Sequence, residues 1–283
     1  MVEQLDRAAK QRLVDAIPHW HHSIDLGDGV VTPGGKTPYH FYDELQRLRL
    51  PEMANKSVID IGAWDGLYTL HAEHLGASRV VALDHYAWSI DFEKASAYTT
   101  NQLVTGQPIR PFHTLPEVWD PVGLPGKRGF DLAYRLRDSH ADVVVDDFMT
   151  MDLAPLGAFD VVLFLGVIYH LEEPLRALRR LRQLTRGVAV IESEAVWLPA
   201  SDNQPLWQFG GGARLNHDPT IFWVPTAEGL QAMCLAAGFS AAEIVSGPPP
   251  DERRGSLRSI NYRAVVHAFP PAGGLPGLDR RGT

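Results

Sequence analysis

The chain has 283 residues, of which 45% are hydrophobic, and its formal net charge at pH 7 is −8. This length and apolar content suffice for one large buried core, and a net negative surface repels polyanions such as nucleic acids. The single cysteine, Cys234, excludes an intramolecular disulfide and a thiolate metal cluster, so we expect a reducing cytoplasm.

Sequence patterns for membrane insertion, secretion and metal binding are missing. No run approaches the ~20 apolar residues that a membrane span needs, so we expect no membrane partner. Residues 1–17 are interrupted by charged side chains and are not expected to form a signal peptide. The 12 histidines are accompanied by neither an HExxH nor a CxxC motif, and we therefore predict no required metal.

The first predicted strand, residues 57–61, runs into a glycine turn that reads Asp60-Ile61-Gly62-Ala63-Trp64-Asp65-Gly66. A dinucleotide site needs a GxGxxG turn, but here Trp64 occupies the second glycine position and disfavours a diphosphate. Asp60 and the backbone donors of the turn instead suit a ligand with an ammonium, a carboxylate and a sulfonium, which describes S-adenosylmethionine. We predict that Asp60, Gly62, Trp64 and Gly66 bind this cofactor.

Three further strand ends are predicted to complete the cofactor site. The strand at residues 79–84 ends in Asp84, which is placed to bind a ribose diol. The strand at 141–148 ends in Asp147 and Phe148, which suit the adenine amino group and the adenine face, with Asp146 as the alternative acceptor. The fourth strand, predicted over 159–170, includes Leu165, and its C-terminal end is expected to face the transferred methyl.

The rest of the predicted sheet follows in the second half of the chain. A helix is predicted over 174–186, because its leucines share one face, and a fifth strand over 189–192. Residues 242–245 and 262–267 read as a closing antiparallel pair. The predicted fold is therefore α/β, a Rossmann-like seven-stranded sheet with helices on both faces and an N-terminal helical extension.

These elements suggest a division of the chain into functional segments. Residues 1–50 are predicted to form the helical extension and lid, 51–269 the catalytic domain, and 270–283 a flexible tail. Two stretches, 91–140 and 197–223, are longer than the connections that the sheet needs, and we expect them to face the substrate. The alternative for both is that their aromatic residues only complete the core.

With these strands and the glycine turn, the chain resembles a known family, the class I S-adenosylmethionine-dependent methyltransferases. It is most similar to the branch of tRNA wobble-uridine (5-oxyacetyl uridine) methyltransferases, on the segments 20–34, 60–66, 166–170 and 221–226. The same branch includes carboxymethyltransferases, in which a lysine, a tyrosine and an arginine hold the extra carboxylate of carboxy-S-adenosylmethionine. The resemblance places the tyrosine at Tyr169 and the arginine at Arg263.

The lysine of that carboxylate site falls near His22, and a neutral imidazole is a weaker partner for an anion than an ammonium. The expected donor is therefore plain S-adenosylmethionine. Carboxy-S-adenosylmethionine stays open as the less favoured donor, because Lys36 or a protonated His22 could take the place of the missing lysine.

His170 and Tyr169 are the predicted catalytic residues. The unperturbed pKa of a histidine lies near neutrality, so His170 could remove a proton from the acceptor, while the Tyr169 hydroxyl would orient donor or acceptor. The alternative for His170 is a structural histidine that caps the loop. The residues predicted to bind the acceptor are His22, Glu194, Trp197, Arg214 and Arg263.

The predicted function is transfer of a methyl group to a hydroxyl or amine of a small molecule, with a role in bacterial natural product biosynthesis. One alternative is a tRNA wobble-uridine methyl- or carboxymethyltransferase, for which a row of arginines at 176–186 would bind the nucleic acid. Another is a non-catalytic module that binds the cofactor without turnover. The sequence does not specify the oligomeric state.

Overall fold

The fold is built on a seven-stranded sheet. Its strands, in their order across the sheet, are β3 (Asp142–Val145), β2 (Arg79–Asp84), β1 (Ser57–Ile61), β4 (Phe159–Leu165), β5 (Thr185–Trp197), β9 (Ile260–Phe269) and β8 (Ala241–Ser246). The computed structural model describes residues 5–199, 204–210, 218, 220–248, 250 and 259–272. Strands β1 to β5 are parallel, and β9 pairs antiparallel with both β5 and β8. This order confirms the predicted Rossmann-like α/β fold with its closing antiparallel pair.

The strands of this sheet alternate along the chain with helices. The helices are α1 (Arg7–Asp15), α2 (Pro38–Leu48), α3 (Leu67–His74), α4 (Tyr86–Ser89), α5 (Phe92–Thr105), α6 (Arg128–Leu136), α7 (Pro174–Leu184) and α8 (Ala227–Ala236). A separate pair of short strands, β6 (Trp207–Phe209) and β7 (Trp223–Pro225), forms a two-stranded sheet.

Both faces of the main sheet are buried, because side chains alternate between them along each strand. On one face Ile59 and Ile61 pack with Leu178 of α7 and Leu230 of α8. On the other face Val58 packs with residues of α1, α2, α3 and α6, namely Val14, Leu48, Leu67 and Leu132. Helices therefore cover the sheet on both sides, as predicted, and the N-terminal helices belong to the second face.

Several element boundaries differ from those predicted. Strand β5 has 13 residues rather than four, because pairing with β4 on one side and β9 on the other satisfies its backbone even where its sequence is polar. The predicted third strand stops at Val145, and the fourth stops at Leu165, where Gly166 takes a positive φ of 73°. Residues 168–170 form a 3₁₀ turn instead of a strand end.

The segment between α1 and α2 lies over the loop that follows β1. The Trp20 indole donates to the carbonyl of Val14, and the backbone N–H groups of His21 and His22 donate to Asp65 Oδ2 at 3.0 and 2.7 Å. Asp65 is 2% exposed, so these donors supply the partners that a buried carboxylate requires. The N-terminal segment is therefore attached to the glycine turn through specific bonds.

The stretch at 91–140 contains α5 and α6 and contributes Ala95, Leu115 and Val118 to a small buried apolar cluster. None of the helices in the described part of the chain has the length and apolar character required to cross a bilayer.

Candidate functional site

A cavity of about 770 Å³ opens at the C-terminal edge of the parallel strands. Its walls include the ends of β1, β2 and β4, the glycine turn, the residues after β3, and parts of β5 and β9. Its volume lies within the range of ~300–1,000 Å³ that is typical of small-molecule sites. The C-terminal edge of a parallel sheet is where open α/β folds bind their ligands.

Gly62 leaves the turn after β1 open toward this cavity. Its φ is 84°, and a Cβ built on it would lie 2.5 Å from Cγ2 of Val167, so any side chain would meet Val167. Gly66 has a similar φ of 88° but does not line the cavity, and a Cβ there would approach the Phe130 ring at 3.0 Å. The structure thus assigns Gly66 a packing function, in contrast to the predicted cofactor contact.

Asp60 and Asp84 are buried carboxylates at the ends of neighbouring strands, and both line the cavity. Burial raises the pKa of Asp60 to about 6, against the hydrogen bond that it accepts from Thr69 Oγ1 at 2.7 Å. Burial also raises the pKa of Asp84 to about 6, although its oxygens accept from the N–H groups of Trp64 at 2.9 Å and Ala87 at 3.0 Å. The two carboxylates form an acidic pair suited to a cationic ligand.

Trp64 stands at the centre of a stack of aromatic rings. Its indole is parallel to the His21 ring, with centroids 3.8 Å apart, and to the Phe92 ring, with centroids 5.3 Å apart. Burial lowers the pKa of His21 to about 2, so this imidazole is neutral in the stack. Trp64 therefore joins the N-terminal segment to α5 and fills the space of a second glycine, which agrees with the argument against a diphosphate.

Asp146, Asp147 and Phe148 all line the cavity in the loop after β3. The Asp147 carboxylate accepts from Met149 N–H at 2.8 Å and from the Thr150 hydroxyl, and Asp146 accepts from Asp147 N–H at 2.8 Å. Phe148 is 6% exposed and packs into the core against Phe164. Leu165 also lines the cavity. The residues predicted to contact the adenine therefore all border the cavity, and the contact itself stays a prediction for either carboxylate.

Arg263 occupies the centre of a buried ion-pair cluster on the other side of the cavity. Its Nε and Nη2 donate to both oxygens of Glu192, and its Nη1 donates to Glu194 Oε2 at 3.0 Å and to Tyr169 Oη at 3.1 Å. Burial alone would lower the pKa of Arg263, but the facing Glu192 carboxylate raises it well above its usual value. Two carboxylates therefore compensate one guanidinium.

His170 lines the cavity next to Tyr169, with the two ring centroids 4.1 Å apart. Its Nδ1 lies 3.1 Å from the carbonyl oxygen of Thr220 and 2.8 Å from the Thr220 hydroxyl. Burial lowers the pKa of His170, while the nearby Asp218 carboxylate acts in the opposite direction. A general base must be a neutral imidazole that can accept a proton on one ring nitrogen. In His170, Nδ1 is hydrogen-bonded to Thr220, so Nε2 is the nitrogen that could accept the proton.

His22 also lines the cavity, but its Nδ1 is paired with the buried Asp65 carboxylate. Beside it, Lys36 Nζ lies 2.8 Å from Glu44 Oε1, and the Tyr68 hydroxyl donates to Glu44 Oε2 at 2.7 Å. Burial alone would raise the pKa of Glu44, but the Lys36 charge lowers it below its usual value. His22 and Lys36, the two side chains that could replace the missing lysine, are thus already paired with Asp65 and Glu44.

Two of the residues predicted to bind the acceptor lie outside the cavity lining. Glu194 sits behind Arg263, and Trp197, at the end of β5, is 9% exposed; neither lines the cavity. Both belong to a strand that extends well beyond its predicted end, which places them in the sheet rather than in a loop. Arg214 lies outside the described residues.

Sequence reasoning missed several residues that line the cavity. Lys36 was considered only as a substitute cation, while Glu44, Asp218 and Thr220 were not identified. The stretch at 91–140, predicted to face the substrate, contributes Phe92, Thr99, Phe112, His113 and Trp119. Among the residues that the structure describes, no group of three or more potential ligands could hold a metal ion.

The arginine row at 176–186, which extends from α7 into the start of β5, is largely engaged in intramolecular bonds. Arg180 donates to the carbonyls of Phe148 and Met151, and Arg182 to those of Gly238 and Thr185. Arg176 pairs with Glu173, Arg186 pairs with Asp160, and Arg179 is exposed. Most of this row therefore stabilises the fold, which weakens its interpretation as a patch for nucleic acid.

Comparison with known proteins agrees with this architecture. A family model described as a methyltransferase domain matches residues 35–244. Relatives include tRNA U34 carboxymethyltransferases from Campylobacter lari, 31% identical over 88 residues, and from Campylobacter hominis, 23% identical over 204 residues. These matches cover 31% and 71% of this chain but only 29% and 56% of the relatives, so the chain spans little more than half of their length at most.

Among solved structures, the N-terminal domain of EvdMO1 with SAH bound is similar, with a TM-score of 0.59 and 16% identity over 94% of this chain and 98% of that one. This likeness shows the fold. The chain belongs to the methyltransferase-domain family. This membership confirms the predicted methyltransferase class, and the curated relatives carry the name of the tRNA U34 branch that the sequence resembles.

The acidic pair makes donor binding depend on pH. Because Asp60 and Asp84 have pKa values of about 6, above the ordinary value of 3.8, both are mostly protonated at about pH 5 and ionised well above pH 6. The ionised forms attract the cationic S-adenosylmethionine, so its affinity should rise with pH, by about tenfold between about pH 5 and 7.5 for each carboxylate that must ionise.

Isothermal titration calorimetry at the two pH values measures this change. S-Adenosylhomocysteine is the matched ligand, because it lacks the sulfonium charge and should respond less. Asp60→Asn should remove part of the pH dependence, whereas Glu117→Gln, at an exposed position, should leave it intact. Equal affinities for S-adenosylmethionine at both pH values would contradict the assignment of the acidic pair to this ligand.

Proposed function

We propose that this enzyme methylates a hydroxyl or amine of a small, neutral or cationic molecule, and that His170 receives the proton of the acceptor. The observation that carries the proposal is the state of His170. Burial keeps its imidazole neutral, Thr220 engages its Nδ1, and the residue lines the cavity beside Tyr169. These are the conditions under which a histidine acts as a base near neutral pH.

The chemistry divides between the bound donor and the residues of the cavity. When bound, S-adenosylmethionine supplies an electrophilic methyl group on a sulfonium. His170 takes the proton of the acceptor, and Tyr169, whose oxygen accepts from Arg263, keeps its own O–H free to orient a ligand. The aromatic side chains of Tyr86, Phe112 and Trp119 line the cavity and limit the access of water.

The charge of the cavity supports an acceptor that is not anionic. Among the described lining residues, acidic side chains outnumber lysines and arginines by seven to three: Glu44, Asp60, Asp84, Asp146, Asp147, Glu192 and Asp218 against Lys36, Arg47 and Arg263. A phosphodiester backbone would meet net repulsion at such a site. The same imbalance favours a neutral or cationic substrate.

The Arg263 cluster supports plain S-adenosylmethionine over its carboxylated form. The guanidinium already donates to Glu192, Glu194 and Tyr169, so a ligand carboxylate would have to displace one of these acceptors and then lie close to two other carboxylates. His22 and Lys36, the remaining candidates, face Asp65 and Glu44. Every lysine and arginine among the described lining residues thus already has a carboxylate partner; the longest of these contacts joins Arg47 to Glu44 at 3.8 Å.

The second candidate function is modification of the tRNA wobble uridine, which the names of the curated relatives favour. Labelled methyl transfer separates the two functions. The protein is incubated with S-[methyl-¹⁴C]adenosylmethionine and either a bacterial metabolite extract or total tRNA, and label is followed in each fraction. The proposal expects label in small molecules and little in tRNA.

Label that appears in tRNA alone, with an affinity for tRNA that falls steeply with salt, would overturn the proposal in favour of the second function. His170→Gln should abolish transfer to either acceptor class if His170 is the base. The matched control is His140→Gln, because His140 is exposed and does not line the cavity.

A further inference from the structure

Two residues outside the predicted site stand directly behind His170. The Thr220 hydroxyl lies 2.8 Å from His170 Nδ1 and donates to Asp218 Oδ1, and the Thr220 N–H donates to the same carboxylate oxygen at 2.8 Å. The carbonyl oxygen of Thr220 is 3.1 Å from His170 Nδ1. Asp218, Thr220 and His170 thus form a hydrogen-bonded chain that ends at the cavity.

The direction of this chain follows from the number of protons available. A threonine hydroxyl has one proton, and here it is given to Asp218, which as a carboxylate only accepts. The carbonyl oxygen of Thr220 also only accepts. Nδ1 of His170 must therefore be the donor toward Thr220. In a neutral imidazole the second nitrogen, Nε2, then lacks a proton and carries the lone pair.

The segment that contains Thr220 is fixed next to His170 by a further bond. The N–H of Phe222 donates to the carbonyl of Tyr169 at 2.9 Å, and Thr220 itself is 8% exposed. The partners of Nδ1 therefore belong to a segment that a backbone hydrogen bond joins to the turn at Tyr169.

We infer that Thr220 and Asp218 are positioning residues that hold His170 in the Nδ1–H tautomer with Nε2 directed to proton transfer. The inference rests on the proposed function, in which His170 is the base. During the reaction the acceptor proton would move to Nε2, Nδ1–H would stay bonded to Thr220, and Asp218 would remain ionised and stabilise the imidazolium. Neither residue binds the substrate in this scheme.

The pKa of His170 depends on the charged groups that surround its imidazole. Asp218 comes from the segment before β7, Glu194 from β5, Arg263 from β9, and the Tyr169 hydroxyl from the same turn. Burial and Arg263 oppose protonation of the imidazole, whereas Asp218 and Glu194 favour it. Removal of the Asp218 charge should consequently lower the pKa of His170 further.

Nitrogen NMR of ¹⁵N-histidine-labelled protein, saturated with S-adenosylhomocysteine, tests the tautomer without any acceptor. His170→Gln identifies the resonances of His170. The expected spectrum has a protonated Nδ1 and an unprotonated Nε2, and Thr220→Ser should preserve it. Thr220→Val removes the hydroxyl and should increase the share of the Nε2–H form, and Asp218→Asn should shift the titration of His170 to lower pH.

An Nε2–H tautomer in the unmodified protein would overturn the inference, and so would a spectrum that Thr220→Val and Asp218→Asn leave unchanged. Once an acceptor is known, Thr220→Val should lower the transfer rate by about tenfold or more and leave S-adenosylhomocysteine binding unchanged. In the His170→Gln background the same substitution should have no further effect.

These measurements distinguish the proposed role of His170 as the base from its positioning by Thr220 and Asp218. Full activity of His170→Gln would refute the proposed function of His170, whatever its tautomer. Loss of activity in His170→Gln together with normal rate and spectrum in Thr220→Val would refute only the positioning by Thr220 and Asp218.

Discussion

Replacement of His170 by glutamine is expected to lower the rate of methyl transfer by about 10²- to 10⁴-fold. Glutamine can still donate a hydrogen bond to the Thr220 carbonyl, but it cannot take a proton from the acceptor. The affinity for S-adenosylmethionine should stay within about twofold, because the predicted donor contacts, Asp60 and Asp84, lie on other strands. Single-turnover kinetics and calorimetry measure the two quantities separately.

The pH dependence of the unmodified enzyme provides a second measure of the same group. Because burial lowers the pKa of His170, the base stays neutral to more acidic pH than an exposed histidine would, and the midpoint of the rate profile should lie below the ordinary value of 6.5. His140→Gln should keep both the rate and the profile. A His170→Gln variant with unchanged kinetics would show that the residue only caps its loop.

Substitution of Gly62 by alanine is expected to reduce both stability and cofactor affinity. The positive φ of 84° costs a residue with a Cβ about 1 kcal/mol. The Cβ would also lie 2.5 Å from Val167 Cγ2, and overpacking of this kind costs ~1–3 kcal/mol more. Urea denaturation and calorimetry with S-adenosylhomocysteine measure the two losses.

Two variants separate the contributions to this loss. Gly106 lies in the left-handed region with a comparable φ of 67° and has no atom within 4 Å of its Cβ position, so Gly106→Ala should show only the backbone term. Val167→Ala removes the methyl group that the new Cβ meets, and it should partly restore Gly62→Ala, with a coupling energy of about 1 kcal/mol or more. Strict additivity of the two substitutions would contradict the observed close approach.

The parts of the fold that depend on local patterns were predictable from the sequence. Apolar runs that stop at a glycine or in an aspartate predicted β1, β2 and β4, and the carboxyl ends of these strands bring Asp60, Asp84 and Leu165 to one sheet edge. This worked because a parallel strand is buried on both faces and reads as a continuous apolar segment. The residues that line the cavity through these elements were accordingly found.

The features that the sequence did not predict all depend on contacts between segments that are far apart in the chain. Thr220 lies 50 residues from His170 along the chain, and nothing in its own neighbourhood indicates that its carbonyl meets an imidazole. The full length of β5 was missed because its polar stretch, Glu192 to Glu194, is unlike a buried strand. Pairing with β9 places Glu194 directly opposite Arg263, and strand alternation brings Glu192 to the same face.

Gly66 illustrates a different limit. The sequence correctly indicates a turn with positive φ at this position, but a glycine that makes room for a ligand and one that makes room for a core side chain have the same local signature. Here the neighbour is Phe130, 64 positions away in α6, so only the folded chain distinguishes the two functions.

The bonds between the N-terminal segment and the glycine turn bear on how the enzyme can be shortened for study. The family match begins at residue 35, yet His21 and His22 supply the amide donors of Asp65, and His21 covers one side of the Trp64 indole. Recombinant protein trimmed to the matched region would lose these partners and expose an aromatic surface to solvent. Crystallographers and enzymologists should therefore expect aggregation or weak donor retention from such a fragment, and should keep the segment from Trp20 onward.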